Sequence, residues 1–222
     1  MGKKKANSVP LSVVIITRNE EENIGRCLDA VQELADEIVV VDSFSTDRTE
    51  DICRAKGARF IQQEFLGHIG QKNFALAQAR YDHVLSLDAD EVISPQLQQA
   101  ILSAKANWQA DGYSMDRLNN YCGQWIRHSG WYPDRKLRLF DRRLGKWGGT
   151  NPHDRIEMQA GASVAHLKGD LLHYSYKTIK EHVQRTDVYT DIMAQALYEK
   201  GKRATWIKRY ANPVFTFFKN YV

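Results

Sequence analysis

Cysteine is scarce in this chain of 222 residues: Cys27, Cys53 and Cys122 are widely spaced and form no Cys-x-x-Cys. That excludes a disulfide-stapled scaffold and a structural zinc site, and it predicts a reducing compartment. Long apolar runs are missing as well. No stretch approaches the roughly 18 apolar residues that a membrane-spanning helix needs. The basic start, Lys3-Lys4-Lys5, is not followed by a secretory apolar region, because the run behind it is broken by Thr17-Arg18-Asn19-Glu20. No Gly-x-Gly-x-x-Gly follows the first apolar run, which argues against a dinucleotide site of that kind. No Gly-Lys-Ser/Thr occurs, which excludes a P-loop. Solenoid repeats and low-complexity linkers are absent. The net charge is only +4. What remains is one catalytic domain with appendages, long enough to bury a core without staples.

What is present is a regular alternation. Leu11-Ser12-Val13-Val14-Ile15-Ile16 is a near-continuous, β-branched run, as expected of a strand buried on both faces. Asn19 is placed to cap the next helix, with Glu22 three residues on to complete a capping box. That helix carries Ile24, Cys27, Leu28, Val31 and Leu34 on one face. Glu37 to Asp42 reads as a second buried strand ended by an acid, and Ser43 to Asp47 as a turn. A short helix over Thr49 to Lys56 stops at Gly57. A strand is expected over Ala58 to Gln62, a helix over Gly70 to Arg80 and a strand over Asp82 to Leu87. Another helix starts at Ser94-Pro95, serine as cap and proline in the first turn, with Leu97, Ile101 and Ala104 inward. Strands alternating with helices predict an α/β fold with a mostly parallel central sheet flanked by helices.

Three of these strands end in polar groups: Thr17 to Glu21, Asp42 with its Ser/Thr turn, and Asp88-Ala89-Asp90-Glu91. In an open α/β sheet ligands bind just beyond the carboxyl ends of the strands. Asp88 and Asp90 are two residues apart, so an extended chain puts them on one face. Hard oxygen ligands so placed suit Mg²⁺ or Mn²⁺ holding a diphosphate. A solvated acidic turn is the alternative for an Asp-x-Asp taken alone.

The stretches Ser12 to Glu21, Val40 to Asp47 and Leu87 to Glu91, in this order and spacing, resemble family 2 glycosyltransferases of the GT-A fold. The match covers the first hundred residues. Gly130-Trp131-Tyr132-Pro133-Asp134-Arg135-Lys136-Leu137-Arg138-Leu139-Phe140 resembles the branch that builds the lipopolysaccharide core, where many members are β-glucosyltransferases. The resemblance implies that Thr17, Asn19 and Glu21 lie near the nucleoside and that Asp42 contacts the base. It implies that Asp88 lies against the ribose and the metal shell and that Asp90 binds the cation directly. Lys72, in Gly70-Gln71-Lys72-Asn73, takes the place of an arginine near the nucleotide. Trp147 to Arg155 stands where relatives carry a His-Glu pair, which implies Asp154, one methylene shorter, as catalytic base. Pairing with Arg155 or capping a turn is the other use for Asp154, and His153 either orients the acceptor or packs in its loop. His173 matches the late histidine that completes the metal shell in some members. Taken alone, a histidine beside Leu171-Leu172 is more often a core or surface residue.

Arg135, Lys136 and Arg138 are candidates to hold the diphosphate or an anionic acceptor. The alternation in Lys136 to Phe140 fits a half-buried strand with a solvated basic face equally well. Trp131 and Tyr132 either stack on a sugar ring or form local core. Residues 200–222 interleave Lys202, Arg203, Lys208, Arg209 and Lys219 with Trp206, Ile207, Tyr210, Phe215, Phe217, Phe218 and Tyr221. That pattern marks either an interfacial membrane helix or a helical pair packing on the domain or a second subunit. The chain ends inside this aromatic run, which predicts a longer native tail.

The expected organisation is a disordered basic tail over 1–8, a catalytic domain over 9–176 and a C-terminal helical segment over 177–222, membrane-associating or dimerising. Within the domain, about 9–105 would bind the donor and 106–176 carry the acceptor and catalytic groups. The implied activity is an inverting, metal-dependent transfer of a hexose such as glucose from a UDP-sugar to a cell-envelope saccharide or glycolipid. The implied location is the cytoplasm, with peripheral contact at the inner membrane and no nucleic-acid partner. Two other classes stay open: a sugar nucleotidyltransferase, and a non-catalytic membrane- or nucleic-acid-binding module.

Overall fold

The computed structural model of the chain describes residues 8–150, 153–203 and 205–221, with the backbone alone at 153 and 219–221. The expected basic tail therefore lies outside the described residues, except for Ser8. The elements in chain order are β1 (Leu11–Thr17), α1 (Ile24–Val31), β2 (Glu37–Asp42), α2 (Thr49–Ala55), β3 (Arg59–Gln62) and α3 (Gly67–Gln78). Then follow β4 (His83–Asp88), β5 (Glu91–Ile93), α4 (Pro95–Ala106), β6 (Gly112–Tyr121), β7 (Gln124–Ile126) and β8 (Asp134–Asp141). The hairpin β9 (Gly145–Thr150) and β10 (His153–Met158) precedes β11 (Val164–Tyr176), α5 (Ile179–Glu199) and α6 (Trp206–Tyr221).

One sheet runs β3-β2-β1-β4-β8-β6-β11-β5, with β7 attached to β6, and the β9–β10 hairpin is separate. From β3 to β4 every pairing is parallel. β8 joins β4 and β6 antiparallel, β11 runs parallel to β6, and β5 pairs antiparallel with β11. The α/β class and the terminal helices are as the sequence predicts, and the parallel part coincides with the repeating strand–helix pattern.

The continuous apolar run of β1 reflects burial on both faces. Val13 and Ile15 pack with α1 and α4 on one side, and Val14 packs with α3 and the β9–β10 hairpin on the other. Ile24, Cys27, Leu28 and Val31 of α1 are all at 0% exposure. Truncating such a residue to Ala costs about 2–5 kcal/mol. Cys27 and Cys53 are buried free thiols, and burial pushes the Cys53 thiol up to about 12. They behave as small apolar groups. Gly57 (φ 75°) terminates α2 as expected. Ser94 caps α4, accepting from the Leu97 N–H at 3.3 Å, with Pro95 next. Gly169 (φ 111°) marks where β11 bulges past the start of α4; a Cβ there would sit 2.4 Å from the Leu97 nitrogen.

Two boundaries differ from expectation. Asn19 does not cap α1, which begins at Ile24 after Asn23, with no side-chain cap. Asn19 instead takes a left-handed conformation (φ 53°), and its Oδ1 accepts from the Thr46 N–H at 2.8 Å. The α2 loop outbids the local capping box. α3 starts at Gly67, three residues earlier than expected.

Candidate active site

The parallel register sets the site. Thr17 lies opposite Asp42 and Ile16 opposite Asp88, so β1, β2 and β4 deliver their polar ends side by side. The loops after β1 and β2 are then laced together. The N–H groups of Asn19, Glu20 and Glu21 donate to Ser45 Oγ, Thr49 Oγ1 and Asp47 Oδ2 at 2.7, 2.9 and 3.0 Å. Glu21 Oε2 accepts from the Arg48 N–H at 3.2 Å. Asp42, fully buried, accepts from the Ser45 N–H at 2.8 Å and the Ser45 hydroxyl at 2.5 Å.

A cleft of about 1260 Å³ opens at these strand ends. Thr17, Lys72, Asp88, Asp90, Asp154 and His173 line it, together with Glu20 and a wall from α5. Asn19, Glu21 and Asp42 are absent from the lining, and brace the two loops from behind. The Thr17 hydroxyl is buried and without a hydrogen-bond partner, a polar atom left for a ligand. Glu20 accepts from Asn23 Nδ2 at 2.6 Å. Burial raises its pKa against that hydrogen bond, and the Asp90 charge adds to the rise.

The two aspartates of Asp88-Ala89-Asp90 have different company. Asp88 accepts from Lys72 Nζ at 2.9 and 3.1 Å and lies 3.2 Å from an Arg138 nitrogen. Burial alone would raise its pKa, but the Lys72 and Arg138 charges hold the carboxyl well below the usual carboxylate range. Arg138 is anchored in turn by Glu91, a carboxylate at 0% exposure, at 2.7 Å. Glu91 Oε2 also accepts the Asp88 N–H at 3.1 Å. Desolvation works against the Arg138 charge, and Glu91 and Asp88 more than restore it.

Asp90 instead faces His173. The β5–β11 ladder puts His173 opposite Glu91, and the Tyr174 N–H donates to the Asp90 carbonyl at 3.0 Å. His173 Nε2 then sits 3.3 Å from Asp90 Oδ2. On its other side Nδ1 lies 2.7 Å from Asn119 Oδ1, whose amide nitrogen points to the Trp131 carbonyl at 3.3 Å. The Ser175 hydroxyl also lies 2.9 Å from Nδ1; in the tautomer whose Nδ1–H donates to the Asn119 oxygen, Nε2 has a lone pair toward the carboxylate. In that tautomer the two groups fit a shared cation, with Asn119 holding the ring in place as the outer partner of a metal-binding histidine does. Among the described residues no group of three or more His, Cys, Asp or Glu side chains is arranged to hold a metal. Asp90 and His173 could therefore offer a cation at most two protein donors. Asp88, expected as a third ligand, has its carboxylate engaged by Lys72 and Arg138.

Asp154 reaches the cleft on the β9–β10 hairpin, opposite Gly149. α3 fixes that hairpin. Asn73 Oδ1 accepts the Trp147 N–H at 3.0 Å, and Asn73 Nδ2 donates to the Trp147 carbonyl at 2.9 Å. The neighbouring Lys72 donates to Asp154 Oδ2 at 2.7 Å. Trp147 is buried between cations, with Lys72 Nζ 4.2 Å and the Arg138 guanidinium 5.0 Å from its ring centroid. Its indole N–H donates to Ser86 Oγ at 3.1 Å. Arg155 pairs with Glu157, not with Asp154. Residues 151–152 and the His153 side chain lie outside the described residues.

Of the basic residues on β8, Arg138 is the internal counter-ion described above, while Lys136 pairs with Asp134 and Arg135 with Asp116. The Tyr132 hydroxyl donates to Asp170 at 2.9 Å, away from the cleft. Sequence reasoning passed over Glu20, Glu91, Asn119 and Trp147 as site residues. Glu20 and Glu91 stand inside the motifs that drew attention to their neighbours. Nothing local marks Asn119 or Trp147.

The family described as Glycosyl transferase family 2 matches residues 12–169. An uncharacterized glycosyltransferase of Rickettsia typhi is 30% identical over 219 residues, covering 94% of this chain and 75% of the relative. The lipopolysaccharide core biosynthesis glycosyltransferase LpsC of Rhizobium meliloti is 29% identical over 220 residues, covering 96% and 81%. Among solved structures, glucosyl-3-phosphoglycerate synthase from Mycobacterium tuberculosis, in complex with Mn²⁺, UDP and glucosyl-3-phosphoglycerate, superposes with a TM-score of 0.58. The identity is 17%, over 90% of this chain and 83% of that one. S. aureus TarS with UDP gives a TM-score of 0.55 at 17% identity, covering 85% and 66%.

Proposed function

This chain belongs to glycosyl transferase family 2, and on that premise we propose that it is an inverting, metal-dependent hexosyltransferase. It would take a sugar such as glucose from a UDP donor and pass it to a hydroxyl of a lipopolysaccharide-core or similar cell-envelope saccharide, at the cytoplasmic face of the inner membrane. The likeness to LpsC and to the UDP-bound structures supports this choice of acceptor and donor. The observation that carries the reading is the Asp90–His173 pair, a carboxylate oxygen and an imidazole nitrogen 3.3 Å apart beside a cluster of fixed cations.

Transfer needs a base for the acceptor hydroxyl, neutralisation of the leaving diphosphate, and exclusion of water. Asp154 is the base. Lys72 holds its Oδ2, which orients the carboxylate, and the other oxygen takes the proton. Asp90 and His173 would hold Mn²⁺ or Mg²⁺, and that cation, when bound, neutralises charge developing on the leaving diphosphate. A site with one carboxylate completed by substrate phosphates suits these ions. Thr17 and Asp88 contact the nucleoside, and Asp42 with Asn19 and Glu21 shapes the loop against the base. α5 forms one wall of the cleft.

Thermal unfolding with a panel of nucleotides and nucleotide sugars, with Mn²⁺ or with EDTA, tests this. A ligand at a hundred times its dissociation constant adds about 2.7 kcal/mol, roughly 5–10 °C for a domain of this size. UDP or a UDP-sugar is expected to give that shift with Mn²⁺ and lose it with EDTA or in Asp90→Ala. An Asp90→Ala protein that keeps the full metal-dependent shift would remove Asp90 from the metal site.

A further inference from the structure

Phe65 is 49% exposed, yet its position is fixed from behind. It stands in the turn between β3 and α3, and that turn is tied to the end of β2. The Gln63 N–H donates to the Asp42 carbonyl at 2.9 Å. Gln71, on α3 and fully buried, accepts from the Leu66 N–H at 3.3 Å and donates to Ser43 Oγ at 3.1 Å. Gly70 lets the turn fold back on the helix, since a Cβ there would sit 2.9 Å from that of Leu66. His68, in the first turn of α3, meets Phe65 edge-on, with ring centroids 5.2 Å apart and planes at 80°. Both rings line the cleft, as do Ser43 and Thr17. The Ser43 N–H donates to the Thr17 carbonyl at 2.9 Å. That bond joins the turn to the strand end whose buried hydroxyl has no hydrogen-bond partner among the described residues.

We infer that Phe65, backed by His68, is the platform on which the nucleobase of the donor stacks. Three features favour a nucleobase over an acceptor sugar as its occupant. In the sheet order β3-β2-β1-β4 the Phe65 turn follows β3, at the edge, whereas Asp90 follows β4 and Asp154 enters on the separate hairpin. With the diphosphate by Asp90 and the nucleoside against Thr17, the nucleobase reaches the β2–β3 side, while the acceptor hydroxyl must come to Asp154. An edge-on pair also leaves a face of the Phe65 ring uncovered, and that flat apolar surface suits another flat ring. Beside it, the Thr17 hydroxyl offers the polar contact that a nucleoside needs and that this atom lacks. Stacking tolerates any nucleobase, because each has a π-face. Phe65 thus supplies affinity, and the choice among nucleobases falls to the polar groups at the ends of β1 and β2.

The inference rests on the proposed nucleotide donor, and one set of titrations separates the two. Calorimetry with Mn²⁺ compares UDP and ADP with pyrophosphate, which has no nucleobase, on the full chain. Phe65→Ala is expected to weaken both nucleotides by about tenfold or more. Pyrophosphate binding and the melting temperature of the free protein should stay as in the parent. Phe65→Tyr, which keeps the ring, should bind UDP as the parent does. A parent that binds UDP, and a Phe65→Ala protein that binds it equally well, would overturn the platform and leave the transferase reading standing. Equal losses of UDP and pyrophosphate would overturn it too, by making the turn a general support of the cleft. A parent that binds no nucleoside diphosphate would overturn the donor reading, and the platform with it.

Discussion

In the sheet, the acids of the cleft are held by charges that are themselves held: Lys72 and Arg138 flank Asp88, Glu91 anchors Arg138, and Trp147 packs against both cations. In α5 no residue is buried, and α6 is exposed on every described side. The first region is over-determined, so its geometry exists before any ligand arrives. The second meets the rest of the chain through α5, where the Tyr121 hydroxyl lies 3.1 Å from His182 Nδ1. Preorganised dipoles and charges are what a transfer site requires, because reorientation at the moment of reaction costs rate. Helices exposed to this degree carry no such requirement. The same chain thus spends its burial at one end of the sheet and leaves its last two helices for contacts.

The strongest way to break this comparison is to remove the reacting group while keeping the rigid frame. Asp154→Asn keeps the shape and one acceptor oxygen but not the base. Transfer should fall by about 10²–10⁴-fold, the usual worth of a general base, while UDP affinity and melting temperature stay near those of the parent. Near-normal turnover would move the base elsewhere on the cleft, with Glu20 next in line by position.

Next in size is the frame itself. Arg138 is 5% exposed and Glu91 0%, so Arg138→Met takes the nearer partner from a buried carboxylate and leaves it Arg117, 3.6 Å away, as its remaining cation. Breaking one side of such a pair costs about 3–5 kcal/mol, or roughly 6–20 °C in melting temperature for this length. Changing both together, Arg138→Met with Glu91→Leu, should recover part of that loss, because an apolar pair has no unpaired charge to bury. Calorimetry on the single and double variants measures it. A single variant that melts within a degree of the parent would mean the pair is not desolvated as the geometry indicates.

Much of this was legible in the sequence, and the limits follow from range. β1 to α4 repeat short strands and helices whose apolar periods and stops are local, so their order, their burial and the convergence of Thr17, Asp42 and Asp88 could be read directly. Asn19 shows where a local rule lost: a sound capping box was overridden by hydrogen bonds from a loop 27 residues away. For Arg138 the sequence leaves a ligand-holding role and a solvated face equally open, because alternation reports two faces but not which one another layer covers. The pairing of His173 with Asp90 depends on an antiparallel ladder between segments some eighty residues apart, and Asn119 and Trp147 act only through such long-range contacts. Three neighbouring acids were visible at once; which one is neutralised and which left open is decided by cations from α3 and β8.

The smallest effect expected is on acid stability, and it centres on Asp88. Asp88 has its folded pKa held below the ordinary value of 3.8. Its contribution to stability is therefore complete above about that value and is lost as the pH falls toward the lower folded one. Asp134 and Asp141 are lowered for the same kind of reason, by Arg117 with Lys136 and by Arg143, against the pull of burial, and add slope of the same sign. Glu20, raised by burial, works the other way, since protonation relieves it. Urea unfolding between about pH 5 and about pH 3 should thus show stability falling with acid. In Asp88→Asn the slope should be shallower by at most one proton, about 1.4 kcal/mol per pH unit. An unchanged slope would mean that Lys72 and Arg138 do not hold the Asp88 charge, and the rigid half of the comparison would lose its centre.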